Sequence, residues 1–537
     1  MITTHRDVMA RAGAMFLALF LFAAVPAFAE DTDGDGIEDT LDNCRLVANP
    51  NQSDADGDDF GDICDGDLNN DGATTAQDTT ILRSHLGTSN PVADLTGDGF
   101  VNARDSTLLR SLVGSPPGPG ALPAADITYP LRVEPGKRYL VDAGGRPFFM
   151  NGDTAWDLIV GPNLANTRLY LDDRSARGIN TVLVELVEHA FAGPATAAGL
   201  VPFSPAGDFG APNEAYFNYA RQVVEEAAQR GMLVLLTPAY LGYNGGNEGW
   251  LVDMRASGAA KLRAYGVYVG QKFAGLDNIL WVHGGDHDPS ASDMLLADAV
   301  AEGIISTDPQ RRWLHTFHAQ RGTSAMRSRA GSRAWLDVNN IYTSSTDVVT
   351  LAHADYALSA KPLFFLEGRY ENNGGSGLFI RQQAYQALLS GSHTGHLMGN
   401  DPMWYFGNGW QNYLGSAGAR SMPHIDSLWH SLPWERLVPD TGGTFLTGGI
   451  GSSEGRSAAA LAADGSFGLV YHPDNTRSFT VNMGRFTAAT VRARWFDPSS
   501  GTYSTVAGSP FAASGSRTFR PTGLNASGAR DWVLVLD

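Results

Sequence analysis

The sequence predicts a multidomain chain: an α/β, (β/α)8 TIM barrel in the middle, an all-β sandwich at the C-terminus and loop–helix modules at the N-terminus. Three observations predict it. Between residues 127 and 440, eight apolar runs alternate with amphipathic stretches. From residue 441 onward short alternating strands follow one another without such stretches. Within residues 30–114, two acidic twelve-residue segments recur, each followed by a short helical run.

Residues 1–29 stand outside the fold. Arg6 and Arg11 precede the short apolar run "AMFLALFLFAAV", and "AFA" precedes Glu30, the order of a secretory leader cleaved after Ala29. The alternative, a membrane anchor, has an apolar core too short to span a bilayer comfortably. No other segment is apolar enough to span one, so the mature chain is expected to be secreted: extracellular, on the cell surface or periplasmic. The net charge of −19 is concentrated in one place. Residues 30–105 hold nineteen acids against Arg45, Arg83 and Arg104, a net −16. The remainder is near neutral, which argues against a nucleic-acid partner. Cys44 and Cys64 are the two cysteines, and an oxidising compartment favours their disulfide.

"DLNNDGATTAQD" (67–78) and "DLTGDGFVNARD" (94–105) both fit a twelve-residue calcium loop. Asp67, Asn69, Asp71 and Asp78 fall at ligand positions one, three, five and twelve; Asp94, Thr96, Asp98 and Asp105 do so in the second copy. Calcium takes six or more hard oxygens, which alternate residues of a tight loop supply. The pair (67–114) resembles a dockerin, and that resemblance implies a cohesin-bearing partner; a calcium-stiffened spacer is the alternative. Upstream (30–66), "DTDGDGIEDTLDNC" and "DADGDDFGDICD" look like thrombospondin type-3 repeats. Asp31, Asp33 and Asp35 belong to one set and Asp54, Asp56 and Asp58 to the other. Their mutual repulsion calls for a structural cation, with calcium as the organiser and a Cys44–Cys64 bridge tying the halves. "SPPGPGALPAAD" (115–126) reads as a linker.

The eight apolar runs are residues 147–156, 180–189, 232–240, 278–286, 311–318, 334–344, 362–371 and 394–402. Helical candidates between them are 213–231, 259–275, 291–305 and 381–391. In a (β/α)8 barrel the functional groups gather at the C-terminal strand ends. The fourth run ends in "GGD" at Asp286 and the seventh in Glu367. On strands four and seven these carboxylates would flank a bound bond. A retaining glycosidase needs that arrangement, with carboxyl groups about 5–5.5 Å apart.

Arg369 and Tyr370 beside Glu367 favour an ionised nucleophile, while Trp281 and a second carboxylate would raise Asp286 as the acid/base. Asp288 is the alternative acid, and the two glycines would allow close approach of backbone or sugar. Asp153, Glu185 and Glu188 near the first strand ends could bind sugar hydroxyls or serve as buried salt bridges and caps. Trp156, His189, Tyr240, His318, Tyr342 and Trp404 could form sugar subsites or core. No HExxH or spaced Cys/His cluster is present, and this reading requires no cofactor for catalysis.

"NGDTAWDL", "LDNILWVHGGDHD", "KPLFFLEGRYEN", "QAYQALLSGSHTGHLMGNDPMW" and "LPWERLVPD", taken in order, resemble the apiosidase-like glycoside hydrolases, family 140 in the sequence classification. The resemblance implies a barrel acting on pectic polysaccharide, including apiose-bearing chains, with Asp286 as acid/base and Glu367 as nucleophile. A non-catalytic carbohydrate or matrix adhesin on the same barrel is the competing reading. Residues 441–537 resemble the domain labelled collagen-binding that follows such barrels; here it is expected to brace the barrel.

Overall fold

The computed structural model describes residues 33–37, 42–58, 60–70, 74–114, 117–118, 127–344 and 348–537. The expected leader, Asp31, Asp71 and most of the 115–126 linker lie outside the described residues. Eight parallel strands form in the expected runs: β1 Met150–Thr154, β2 Thr181–Glu185, β3 Leu233–Thr237, β4 Ile279–Gly284, β5 Leu314–His318, β6 Asn339–Tyr342, β7 Leu363–Glu367 and β8 Gly395–Met398. Their order is β5-β4-β3-β2-β1-β8-β7-β6, with Thr323–Ser324 added antiparallel on the free edge of β6.

The sheet is a nearly closed barrel, and side chains join its seam. Between β5 and β6, Thr316 Oγ1 donates to Val338 O at 2.7 Å. Asn340 Nδ2 donates to Thr316 Oγ1 at 2.8 Å and to Phe317 O at 2.9 Å.

Strand alternation sorts the two cores. Met150, Leu183, Leu235, Leu280, Val282, Leu314, Phe364, Leu366 and Leu397 fill the barrel, while Val182, Val184, Val234, Leu236, Ile279 and Trp281 face the helices. The lower end is plugged by Leu131, Leu140 and Phe148 around a small antiparallel sheet, Arg132–Val133, Leu140–Val141 and Pro147–Phe148. The upper end stays open.

The expected helices are present at Glu214–Gln229, Leu251–Lys272, Ala291–Ile305 and Gly377–Leu388. The second is two helical segments meeting at a kink, Gly258 at φ +74° and ψ 162°; the expected helix begins just past the kink, and a shorter segment from Leu251 precedes it. Leu164–Ala176, Val348–Leu358 and Met422–His430 complete the outer layer.

The C-terminal unit is a sandwich of antiparallel sheets. Leu437–Pro439, Ala458–Ala462, Gly468–His472, Trp532–Leu536, Ala493–Phe496 and Tyr503–Thr505 make the larger sheet. A three-stranded sheet of Leu446–Gly448, Phe479–Asn482 and Ser516–Phe519 covers it around Phe445, Val470, Trp495 and Leu534. Its first strand, Leu437–Pro439, starts ahead of residue 441. The sandwich docks on the barrel through a buried bidentate pair, Arg381 to Asp531, with both contacts at 2.8 Å. Tyr385 stacks on Tyr471 beside it, with ring centroids 5.1 Å apart.

At the N-terminus, Ala76–Ser84 and Ala103–Leu112 pack around Leu82, Leu95, Val101 and Leu109. The Cys44–Cys64 disulfide is formed. Arg45 pairs with Asp172 of the barrel at 2.7 Å, both side chains buried. No helix among the described residues is long and apolar enough to cross a membrane.

Candidate active site

The open end of the barrel holds a cavity of about 380 Å³. Asp286 and Glu367 both line it, and the local backbone explains why. Beyond β4 the chain passes Gly284 at φ +88° and Gly285 at φ +132° to reach Asp286 at φ +44°. A Cβ on Gly284 would lie 2.6 Å from His318 O, and one on Gly285 2.1 Å from the Tyr240 ring. The glycines therefore accommodate protein backbone and Tyr240, not sugar.

Glu367 needs a different device. Phe364 and Leu366 point into the barrel, so plain alternation would turn Glu367 outward with Phe365. A register shift lets Ile341 pair with Phe365 but Tyr342 with Glu367. This bulge re-aims the carboxylate into the cavity.

The two acids share a scaffold. His318 accepts from the Asp286 amide at Nδ1 (3.4 Å), while its Nε2 lies 3.0 Å from Glu367 Oε2. An acceptor at Nδ1 leaves the ring proton on Nε2, toward Glu367. Tyr370 Oη donates to Glu367 Oε1 at 2.8 Å and accepts from Trp156 Nε1 at 2.8 Å. Tyr342 Oη donates to Asp286 Oδ2 at 3.3 Å and is itself held by Arg321 Nε at 3.0 Å. Asp286 Oδ1 is buried and has no protein partner. Burial raises the Asp286 carboxyl above the ordinary range and the Glu367 charge adds to the rise, while His318, Arg321 and the Tyr342 hydroxyl oppose it. Trp281 takes no part: it packs outward between Phe273 and Trp313.

Of the other expected residues, Trp156, Tyr240, His318, Tyr342, Arg369 and Trp404 line the cavity. Trp156 stacks on His318 with centroids 5.6 Å apart. Arg369 sits at the rim, donating to Ser344 O at 3.0 Å and paired with Glu454 of the sandwich at 3.1 Å.

Four expected contacts lie elsewhere. Asp153 points outward, buried against Arg174 (3.0 Å) and Tyr170 Oη (2.9 Å). Glu188 is buried, its Oε1 accepting the amides of Ala190 (2.6 Å) and Phe191 (2.5 Å). His189 faces a separate cleft, 3.5 Å from Asp253 and edge-on to Trp250. Asp288 is exposed and caps the Arg329 amide at 3.2 Å. Phe191, Arg321, Ser344, Asn373 and Gly374 line the cavity without having been anticipated. Ser344 closes the sixth predicted run and Gly374 lies in the short Gly374–Gly375 strand, while Phe191, Arg321 and Asn373 lie beyond the barrel strands, where no strand-end signal marks them.

The N-terminal acids form separate groups. Asp33, Asp35 and Asp42 bring carboxylate oxygens within 4.8 Å of one another, as do Asp54, Asp56 and Asp58. Burial and neighbouring charges push Asp58 up to about 6 and Asp65 up to about 8, which marks both as groups a cation would relieve. Asp65 was not anticipated from the sequence. In the second loop, Asp94 accepts the Asp98 (3.2 Å) and Gly99 (2.7 Å) amides, and Thr96 Oγ1 donates to Asp105 at 2.9 Å. Asp78 and Asp105 also close capping boxes on their helices. Hard carboxylate and hydroxyl oxygens on tight turns are a donor set that fits calcium.

A parallel barrel with two carboxylates at its open end is the architecture of glycoside hydrolase barrels, and solved structures agree at the level of fold. A glycoside hydrolase family 5 structure from Bacteroides vulgatus ATCC 8482 superposes with TM-score 0.67 at 22% identity, covering 76% of this chain and 92% of that one. A second structure, titled glycoside hydrolase, gives TM-score 0.66 at 21% identity over 76% and 96%. Comparison with curated proteins returns no match. Residues 134–436 match the family described as "Apiosidase-like, catalytic domain", and the chain belongs to that family. Residues 438–537 match "Putative collagen-binding domain of a collagenase", 65–114 the dockerin type I domain and 29–52 the thrombospondin type 3 repeat.

Proposed function

We propose that the protein is a secreted, retaining glycoside hydrolase acting on O-glycosidic bonds of plant cell-wall polysaccharide, with pectic, apiose-bearing chains as its substrate class. The observation that carries the reading is the shared environment of Asp286 and Glu367 in one open cavity. Glu367 receives hydrogen from Tyr370 and faces the Nε2 proton of His318, a setting for an ionised nucleophile. Asp286 is buried and raised, and it lines the same cavity.

In the first step Glu367 forms a bond to the anomeric carbon as the glycosidic C–O bond breaks, and the Asp286 proton passes to the departing oxygen. In the second, water attacks the glycosyl ester, its proton returns to Asp286 and Glu367 leaves as carboxylate. The apiosidase-like family membership supports the substrate class.

The N-terminal modules bind structural calcium in this reading, and the dockerin-like pair offers a surface to a cohesin-bearing protein. A panel of pectic and hemicellulosic oligosaccharides, tested with wild type, Asp286→Ala and Glu367→Gln, decides it. Sugar release that survives both substitutions refutes the site; sugar binding without release by wild type supports a carbohydrate adhesin instead.

A further inference from the structure

Behind the cavity wall lies a second set of acids that this reaction does not use. Asp157, Glu185 and Glu188 are 1%, 3% and 1% exposed. Glu188 sits within hydrogen-bonding range of both Asp157 and Glu185. No cationic side chain among the described residues acts on Asp157 or Glu185; the other groups facing them are the Ala192 amide, Tyr216 and Tyr240.

The donors nearby are largely committed. Tyr216 Oη donates to Leu186 O at 2.9 Å, and the Ala190 and Phe191 amides serve Glu188 Oε1. Both Asp157 oxygens and one oxygen each of Glu185 and Glu188 are buried without a well-formed hydrogen bond, the Ala192 amide facing Asp157 being the one donor turned toward them. Carboxyl groups packed in this way, out of water and without a cation, hold together only if protons lie between them. Glu188 stands between the other two. The acid sets whose oxygens converge on a common point within 4.8 Å, among the described residues, are those of the N-terminal modules. A row of three acids suits shared protons better than a single cation.

Of the three, Glu185 lines the cavity, at the end of β2. We propose that Glu185 is a substrate-binding residue that presents a carboxylic O–H to an acceptor oxygen of the bound sugar, with Glu188 and Asp157 as positioning residues behind it. The proposal rests on the glycosidase reading and deepens it. Burial raises Glu185 well above the ordinary carboxyl range, and Glu188 and Asp157 raise it further; Asp157 is raised by burial and by Glu188. A neutral acid donates where a carboxylate can only accept. The site would therefore select a sugar carrying a hydroxyl oxygen at that position over a deoxy analogue.

The test uses the full-length protein and two readouts. Infrared difference spectra at neutral pH read the carbonyl stretch of a protonated carboxyl, which wild type shows and Glu185→Gln diminishes. On pectic oligosaccharide, Glu185→Ala raises KM by about tenfold or more, the loss of one buried hydrogen bond. Glu185→Gln, which keeps a donor, loses less than about threefold. Wild-type KM climbs as the pH is raised, whereas that of Glu185→Gln stays flat. Identical losses and pH profiles in the two variants, or no carboxylic carbonyl attributable to Glu185, overturn the proposal. A carbonyl signal that disappears on adding calcium to chelator-treated protein overturns it in favour of a cation site. If wild type cleaves no glycan, the glycosidase reading falls, and the infrared arm still decides whether Glu185 holds a proton.

Discussion

Replacing Gly285 by alanine tests how tightly the cavity is built. The new Cβ would lie 2.1 Å from Tyr240 Cδ2, 2.6 Å from Cε2 and 3.0 Å from Leu241 N. Carbon atoms rest at about 3.5–4.0 Å, so the ring must retreat by about 1.4 Å or the Gly285–Asp286 backbone must shift. Tyr240 is 7% exposed and packs on Trp156 at 5.8 Å, which leaves the cavity itself as the direction of escape. The φ of +132° adds about 1–3 kcal/mol of backbone strain for any side chain. Overpacking of the ring adds a further 1–3 kcal/mol or so. Urea unfolding should therefore show a loss of about 2–6 kcal/mol. Displacing Asp286 by about 1 Å should lower kcat/KM on pectic oligosaccharide by about 100-fold.

Gly275→Ala is the matched control. It also has positive φ, +86°, but nothing lies within 4 Å of its Cβ. It should cost about 1 kcal/mol and leave kcat/KM unchanged. A Gly285→Ala variant with wild-type kcat/KM would refute the argument that this turn positions Asp286.

Tyr342→Phe removes a hydrogen bond that favours the Asp286 carboxylate, so its pKa rises further and the alkaline limb of the kcat/KM profile moves to higher pH; a move to lower pH contradicts the acid/base role. Asp531→Asn leaves Arg381 buried without its bidentate partner and should destabilise the barrel–sandwich junction by about 3–5 kcal/mol in urea unfolding. Calcium at about 100 times its Kd should stabilise the N-terminal modules by about 2.7 kcal/mol, seen as a calorimetric transition that chelator shifts downward. A transition indifferent to chelator would remove calcium from those modules.

The barrel was legible because most strands, such as Thr181–Glu185, Leu233–Thr237, Ile279–Gly284 and Leu363–Glu367, are short apolar runs, and all eight strands form inside the predicted runs. Leu164–Ala176 escaped notice because its inward face carries Asp172, Asp173 and Arg174, buried but charged, so apolar periodicity is broken. The site was legible only to the level of strand ends. Asp153 ends β1 as plausibly as Glu367 ends β7, yet alternation sends one outward and a bulge turns the other inward. Nothing in either local sequence announces that difference. Arg321 belongs to the loop leading to the Thr323–Ser324 strand and reaches the cavity through a fold-back that no spacing reveals. The C-terminal strands were readable individually, while Glu454, reaching across to Arg369, depends on docking between units.

The joint between β5 and β6 has a mechanical consequence. Seven of the eight strand boundaries are sewn by main-chain ladders, whereas this one has main-chain bonds only at its entry, from the Asp337 and Val338 amides to His315 O, and is riveted above them by Thr316 and Asn340. His318 stands on one lip of that joint and Tyr342 on the other, their rings 4.9 Å apart. Prying the lips open would pull apart the two props under the reacting acids while the rest of the cylinder stayed intact. Warming should thus silence this protein before it melts.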